Sequence, residues 1–275
     1  MTMSTAKLAF LGGGHMGRAL ISGLLRRGTR PEHIRASDPL PAAREALSRE
    51  LGITATADNQ EAIADADIVV LAVKPQNAAP VLQPLGPILQ ARGALLVSIA
   101  AGVRIAALAR FCGPGVPVVR AMPNRPALVG AGITALYAPE SLGAGARARA
   151  TEVMSAVGEA VWVAHEDALD TVTALSGSGP AYLFLVTEIM AQAATGLGLP
   201  PHDAQRLAVA TLYGAGALAK VSDGNLERLR LEVTSKGGTT EAAVRTLQER
   251  DLAGTLTAAL QAAARRAREL GDEHG

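Results

Sequence analysis

The stretch L-A-F-L-G-G-G-H-M-G, residues 8–17, decides how the first half of this chain folds. Its first four residues, together with Lys7 before them, predict a strand over residues 7–11, and the apolar pattern that follows predicts a helix over about residues 16–27. The glycines that fit G-x-G-x-x-G are Gly12, Gly14 and Gly17. In that pattern the first glycine allows a tight turn, the second lets a pyrophosphate approach the backbone, and the third lets helix and strand pack closely. This placement predicts a dinucleotide-binding turn, with His15 and Met16 lining it through their backbone.

The first 160 residues alternate short aliphatic runs with helical patterns. Further strands are predicted at residues 34–37, 68–73, 95–98 and 118–121, and helices at residues 41–51, 60–64, 78–90 and 104–111. Strands separated by helices of this length predict βαβ units and a doubly wound parallel sheet. We therefore expect a Rossmann-type α/β domain over residues 1–164.

After residue 165 the pattern changes to helices alone. They are predicted at about residues 180–197, 202–221, 225–233, 239–248 and 251–270. We therefore expect a second, all-α domain over residues 165–275. The helices at residues 181–199 and 204–219 are rich in small apolar residues that one short chain cannot bury on every side, which predicts self-association.

The composition excludes several classes of function. The formal net charge is +1, and no run of Lys or Arg stands clear of balancing acids, so we expect no nucleic-acid partner. The apolar stretch 181–199 is interrupted by Glu188 and Gln192, so we expect a helix buried in protein and no membrane span. The lone Cys112 excludes an intrachain disulfide and is typical of a cytoplasmic protein. No metal site is predicted.

The residues at the end of the second predicted strand bear on whether NADH or NADPH is preferred. Asp38 is placed either to accept a hydrogen bond from a ribose 2′-hydroxyl, as in NADH binding, or to serve as a turn residue before Pro39. Ser37, with Arg35 or Arg44 nearby, is placed instead to accept a 2′-phosphate, as in NADPH binding. The sequence leaves NADPH and NADH both open.

Three further motifs each follow a predicted strand: A-V-K-P at residues 72–75, S-I-A-A-G at 98–102 and A-M-P-N at 121–124. They fall at the carboxyl edge of the sheet, where ligands bind in this fold. Lys74 is either a solvated lysine or a cofactor contact. Outside the glycine turn, the residues that we predict to contact the cofactor are Ser37, Asp38, Asn59, Ala72, Val73, Lys74, Pro75, Ala101, Asn124 and Ser176.

A set of motifs, taken in order along the chain, resembles a known family. They are L-G-G-G-H-M-G, A-V-K-P, S-I-A-A-G-V, A-M-P-N, A-L-S-G-S-G-P-A-Y and T-S-K-G-G-T-T. This set is similar to that of the pyrroline-5-carboxylate reductases over essentially the whole chain, and its last two motifs are highly specific. The resemblance implies the last step of proline biosynthesis, in which NADPH or NADH reduces 1-pyrroline-5-carboxylate. It also implies a homodimer and, in some relatives, larger rings up to a decamer.

The resemblance further implies roles for the turn T-S-K-G-G-T-T. The substrate carboxylate would contact Ser235 and the amides of Gly238 and Thr239, and the Thr240 hydroxyl would reach the ring nitrogen. An acid at the position of Glu166 also contacts the substrate in the family. Judged from the residues alone, this turn is also consistent with a helix N-cap and a flexible glycine pair, and Glu166 with a solvated linker acid.

Three positions depart from the family pattern: Arg125 and Lys236 add positive charge, and Leu231 stands where an aspartate is common. These changes bear on substrate range more than on reaction type. A related reductase of another cyclic imine or a hydroxy acid is the second hypothesis, but hydroxy-acid enzymes of this type need a lysine that residues 179–199 lack. The third hypothesis is a dinucleotide sensor without turnover, which has no need of a second site at residues 235–240.

Overall fold

A computed structural model of the chain describes residues 6–222 and 224–274. Within that part of the chain, eight strands form one sheet. They are β1 Leu8–Leu11, β2 Ile34–Ser37, β3 Thr54–Thr56, β4 Ile68–Leu71, β5 Leu95–Ser98, β6 Val118–Met122, β7 Gly132–Tyr137 and β8 Gly158–Trp162. The strand order is β3-β2-β1-β4-β5-β6-β7-β8. All neighbours are parallel except β6 and β7. The predicted doubly wound, Rossmann-type sheet is confirmed.

Helices cover both faces of this sheet. They are α1 His15–Arg26, α2 Pro41–Leu51, α3 Asn59–Ile63, α4 Ala78–Leu82, α5 Gly86–Arg92, α6 Ile105–Cys112, α7 Ala144–Ser155 and α8 Ala168–Val172. Leu8 and Phe10 of β1 belong to one buried cluster, and Ala9 and Leu11 belong to another. Since side chains alternate across a strand, these clusters lie on opposite faces of the sheet. Burial of β1 and β4 on both faces explains why their sequences read as continuous apolar runs.

The structure differs from the predicted elements in three respects. Strands β3, β7 and β8 were not predicted, because they are short or lie towards an edge of the sheet and show little continuous apolar character. Helix α7 was not predicted either. The helix expected over residues 78–90 is split into α4 and α5 by a 3₁₀ turn at Gln83–Leu85. Pro84 and Pro87 lack the N–H groups that a continuous α-helix needs there.

The rest of the chain is helical, as predicted. A π-helical turn at Thr173–Gly177 is followed by α9 Gly179–Gly196, α10 Pro201–Val221, α11 Leu226–Glu232, α12 Thr239–Glu249 and α13 Leu252–His274. The described residues form two compact units, residues 6–177 with 263–274 and residues 178–262. The boundary predicted at residue 164 follows the change in secondary structure, whereas these units follow packing, so the two divisions describe different properties.

The second unit exposes much apolar surface. Many of its large apolar side chains are exposed, among them Phe184 at 60% on α9 and Tyr213 at 78% on α10. Among the described residues, no helix is both long enough and apolar enough to cross a membrane.

Candidate active site

The three motif glycines of the turn after β1 meet different surroundings. Gly12 has φ +108°, and a Cβ there would lie 2.5 Å from the Ala72 carbonyl oxygen. A Cβ on Gly17 would lie 2.5 Å from the Gly12 carbonyl oxygen. A Cβ on Gly14 would meet nothing within 4 Å. The fold itself therefore requires Gly12 and Gly17, whereas Gly14 faces open space.

The start of α1 is suited to a phosphate group. Gly14 is its N-cap and provides no side-chain hydrogen bond, and the first turn contains no acidic residue. The first N–H groups of a helix have no intrahelical partner and carry a partial positive charge. Open space at Gly14, uncapped N–H groups and the tight turn at Gly12 together fit the pyrophosphate of a dinucleotide.

Asp38, which follows β2, is hydrogen-bonded to the glycine turn. Its Oδ2 accepts a hydrogen bond from the Gly13 N–H at 2.8 Å, and its Oδ1 accepts one from the Leu40 N–H at 2.9 Å. The Arg44 guanidinium donates to the carbonyl oxygens of Asp38 and Pro39. Both alternatives for Asp38 stay open, because its carboxylate closes the turn before Leu40 and also binds the Gly13 N–H of the glycine turn.

Ser37 is buried, and its hydroxyl donates to the Asn59 side-chain oxygen at 2.6 Å. This bond links two residues that were predicted to contact the cofactor. It also uses the hydroxyl hydrogen inside the protein, so a cofactor contact at Ser37 would go to the oxygen.

The other predicted cofactor residues of the sheet gather at one edge. Ala72–Pro75, Ala101 and Asn124 follow β4, β5 and β6, which are consecutive parallel strands beside β1. Lys74 and Ala101 are exposed, and Asn124 is buried. His15 is exposed and Met16 half-buried at the start of α1. The parallel order therefore places these loops beside the glycine turn, as the motifs predicted, while their individual roles stay predictions.

Glu166 is half-buried and belongs to a cluster of charges around the buried Arg120 and Asp170. Its Oε1 accepts from the Ile105 N–H at 2.8 Å, which caps α6, and from Arg120 at 3.1 Å. Asp170 is buried, 3.9 Å from Arg120 and 3.5 Å from Arg104. Burial raises the pKa of Asp170 above its ordinary value, against the pull of both guanidinium groups. Glu166 is thus more than a solvated linker acid, and its substrate contact stays a prediction.

This cluster was not predicted from the sequence. Arg120 is an ionisable residue inside the otherwise apolar strand V-V-R-A-M, residues 118–122, and that contrast was the available signal. A charge in the middle of a buried strand needs a partner, which Glu166 and Asp170 provide.

The turn of residues 235–240 lies in the second unit, at the start of α12. Gly237 has φ +73°, and its N–H donates to the Glu241 carboxylate at 2.7 Å. The Gly238 N–H donates to the Ser235 carbonyl at 3.0 Å. A Cβ on Gly238 would lie 2.5 Å from the Ser235 hydroxyl oxygen. The Ser235 hydroxyl therefore lies close to Gly238, the N-cap of α12.

Several known proteins resemble this chain. Residues 166–270 match a family model described as pyrroline-5-carboxylate reductase dimerisation. Residues 7–102 match one described as NADP oxidoreductase, coenzyme F420-dependent. A pyrroline-5-carboxylate reductase of Pseudomonas aeruginosa is 44% identical over 99% of this chain and 100% of its own length. A pyrroline-5-carboxylate reductase of Corynebacterium melassecola is 41% identical over 96% of this chain and 98% of its own length.

Solved structures show the same likeness. A pyrroline-5-carboxylate reductase of Coxiella burnetii matches with a TM-score of 0.93 at 38% identity, covering 97% of this chain and 98% of that one. The enzyme of Plasmodium falciparum, solved with NADP bound, matches with a TM-score of 0.84 at 28% identity. The match covers 98% of this chain and 100% of that one.

Proposed function

The chain belongs to the pyrroline-5-carboxylate reductase family, and we propose how its residues carry out the reaction. The protein is an NAD(P)H-dependent reductase of proline biosynthesis, which reduces the C=N bond of 1-pyrroline-5-carboxylate to give L-proline. Family membership favours this activity over the hydroxy-acid reductase and the dinucleotide sensor. It also establishes that the chain binds this substrate and self-associates.

In this proposal the glycine turn holds the cofactor. NADPH or NADH supplies the hydride when bound. The uncapped N–H groups at the start of α1 bind its pyrophosphate, and the open space at Gly14 admits it to the backbone. Asp38 and Ser37 meet the adenine ribose, and we propose that both cofactors are used. The loops after β4, β5 and β6, with Ser176, line the remainder of the molecule.

The substrate carboxylate binds at the start of α12. The observation that carries this step is the position of the Ser235 hydroxyl against Gly238, beside the first N–H groups of a helix of 11 residues. The hydroxyl, the Thr239 N–H and the positive end of the helix dipole all favour an anion there. The Gly238 N–H contributes if it shares or opens its bond to the Ser235 carbonyl.

Thr240 acts on the nitrogen side of the reaction. As hydride reaches the ring carbon, the electron pair of the C=N bond moves to nitrogen, which becomes an amine. A hydroxyl at this nitrogen stabilises the change by hydrogen bonding, and the protonated imine needs no strongly basic side chain. We therefore assign the catalytic contact to Thr240 and the carboxylate contacts to Ser235, Gly238 and Thr239, with Glu166 as a further substrate contact.

Self-association takes the form of a homodimer in this proposal, with a decamer as its larger assembly. The support is the apolar surface of α9 and α10, where side chains such as Phe184 and Tyr213 are largely exposed. A cytoplasmic location stays a prediction from the lone Cys112.

Two substitutions on the same turn test these assignments. Thr240→Val keeps the shape of the side chain but removes its hydroxyl. A lost hydrogen bond to a charged group costs about 1.5–3 kcal/mol, which lowers kcat roughly tenfold to a hundredfold. Ser235→Ala should instead raise the KM for 1-pyrroline-5-carboxylate, because a carboxylate contact is made in the ground state and transition state alike.

Thr246→Val is the matched control, since Thr246 lies on α12 and its hydroxyl only donates to the Ala242 carbonyl. Its kcat and KM should stay close to those of the wild type. A Thr240→Val enzyme with near-normal kcat would assign the nitrogen contact to water or to another residue. NAD(P)H affinity, followed by fluorescence titration, should be unchanged in all three variants.

A further inference from the structure

Asn124 joins two distant parts of the chain through its side-chain amide. It follows β6 and is only 8% exposed. Its Oδ1 accepts a hydrogen bond from the Ile133 N–H at 2.9 Å, and its Nδ2 donates one to the Ser176 carbonyl at 3.1 Å. Ile133 lies on β7, whereas Ser176 is 52 residues further along the chain than Asn124.

The two partners determine the orientation of this amide. A backbone N–H only donates and a carbonyl only accepts, so the oxygen faces Ile133 and the nitrogen faces Ser176. A carboxylate would lack the donor for Ser176, an aliphatic side chain would lack both groups, and glutamine is one methylene longer. Asparagine therefore meets both demands at this position.

The Ser176 carbonyl needs such a donor because a proline occupies the position of its ordinary helical partner. It lies in the π-helical turn Thr173–Gly177, and its partner in an α-helix would be residue 180. That residue is Pro180, which has no N–H. The next N–H along the chain, that of Ala181, donates to the Ser178 carbonyl at 2.9 Å. Asn124 thus supplies from another strand the donor that the proline removes.

Met122, the last residue of β6, lies close to Gly177, the neighbour of Ser176 in the turn. A Cβ on Gly177 would lie 2.9 Å from the terminal methyl of Met122. The Met122 side chain therefore lies beside Gly177, while Asn124 binds the preceding residue by a hydrogen bond. π turns of this kind are frequent at functional sites.

We propose that Asn124 is a positioning residue of the reaction, which holds the Ser176–Gly177 turn through its amide and does not itself contact the cofactor. Both polar atoms of its side chain are used inside the protein, and the side chain is buried. The inference rests on the proposed function, in which Ser176 lines the cofactor. The sequence predicted that Asn124 contacts the cofactor, whereas in this proposal Asn124 positions the Ser176–Gly177 turn.

Asn124→Asp tests the two hydrogen bonds separately, because it keeps the acceptor for the Ile133 N–H and removes the donor to the Ser176 carbonyl. The ionised carboxylate still accepts from Ile133 but faces the Ser176 carbonyl with an oxygen, so the turn loses its donor. A protonated carboxyl restores that donor, and burial beside a carbonyl raises the pKa of such a group. At pH 8 we expect kcat to fall about tenfold to a hundredfold, with a smaller rise in the Kd for NADPH, because the Ser176 turn is released while the proposed contacts at the start of α1 remain. At pH 5.5 the ratio of variant to wild-type kcat should recover most of this loss.

Gln83→Glu is the matched control, because it makes the same amide-to-acid change at an exposed position. It should leave kcat, Kd and their pH dependence unchanged. Hydrogen exchange of residues 173–179 in the full-length protein gives a readout independent of turnover. At pH 8 this segment should exchange faster in Asn124→Asp than in Gln83→Glu, and at pH 5.5 the difference should shrink.

Several results would overturn the inference. An increase in the Kd for NADPH with normal kcat would make Asn124 a cofactor ligand. A lower Tm with unchanged kcat would leave it a purely structural residue, and a loss of kcat that acid does not reverse would exclude the donor to Ser176. Should Asn124→Asp fail to fold at pH 8, Asn124→Ser should lower kcat without acid recovery, since its hydroxyl is too short to reach Ser176. If the wild type itself does not reduce 1-pyrroline-5-carboxylate, the proposed function fails, while hydrogen exchange still tests the positioning of the turn.

Discussion

Gly14→Val is expected to abolish tight cofactor binding while leaving the fold intact. An added Cβ at Gly14 meets no atom within 4 Å, and the residue has φ −68°, which any amino acid adopts. In the proposed cofactor position, the valine side chain would occupy the space through which the pyrophosphate approaches the backbone. The substitution thus removes a ligand contact without creating a clash inside the protein.

The size of the effect is set by the hydrogen bonds between the pyrophosphate and the helix. Displacing the pyrophosphate from the start of α1 removes about two hydrogen bonds from N–H groups to a charged oxygen, at about 1.5 kcal/mol each. Their sum of about 3 kcal/mol corresponds to a rise in Kd of roughly 150-fold. The cost to folding is that of a poorer N-cap, about 1 kcal/mol or less, so Tm should fall by no more than about 4 °C.

The assay is fluorescence titration with NADPH and NADH, accompanied by thermal unfolding. Gly17→Ala is the contrasting variant, because its methyl would lie 2.5 Å from the Gly12 carbonyl oxygen. It should lower Tm strongly, whereas Gly14→Val should not. A Gly14→Val protein that binds both cofactors within twofold of the wild type would refute the placement of the pyrophosphate. Equal loss of stability in both variants would refute the distinction between the two glycines.

Three other substitutions address cofactor choice, acid–base behaviour and assembly. Asp38→Ser removes a carboxylate that would repel a 2′-phosphate, so the ratio of kcat/KM for NADPH to that for NADH should rise; an unchanged ratio means that Asp38 serves only the turn. Because burial raises the pKa of Asp170, its ionisation lowers wild-type stability as the pH rises from about 4. The free energy of unfolding of Asp170→Asn, measured by denaturant relative to the wild type, should therefore increase between pH 4 and pH 7; a flat difference contradicts this. Phe184→Glu charges the apolar face of α9, where this side chain is 60% exposed, and should shift the mass in light scattering towards the monomer; an unchanged mass places the interface elsewhere.

The sequence by itself determined the parts of this protein that depend on local patterns. The run of residues 8–17 predicted β1, the glycine turn and the start of α1, because strand burial, turn geometry and helix periodicity are properties of neighbouring residues. For the same reason β2, β5 and α2 begin and end at the predicted residues. The motif order also predicted the family, because two of its motifs are rarely combined elsewhere.

The tertiary structure decided which of the predicted residues are committed to contacts within the protein. Asp38 binds the Gly13 N–H across 25 positions, and Asn124 binds the Ser176 carbonyl across 52. Glu166, for which a solvated linker acid was one of two interpretations of the sequence, lies against Arg120, 46 positions away. Local periodicity reports which face of an element is apolar, but it carries no record of which distant polar group completes a hydrogen bond. That pairing is set by the order of the strands and by the turn before Pro180, and so it exists only once the chain has folded.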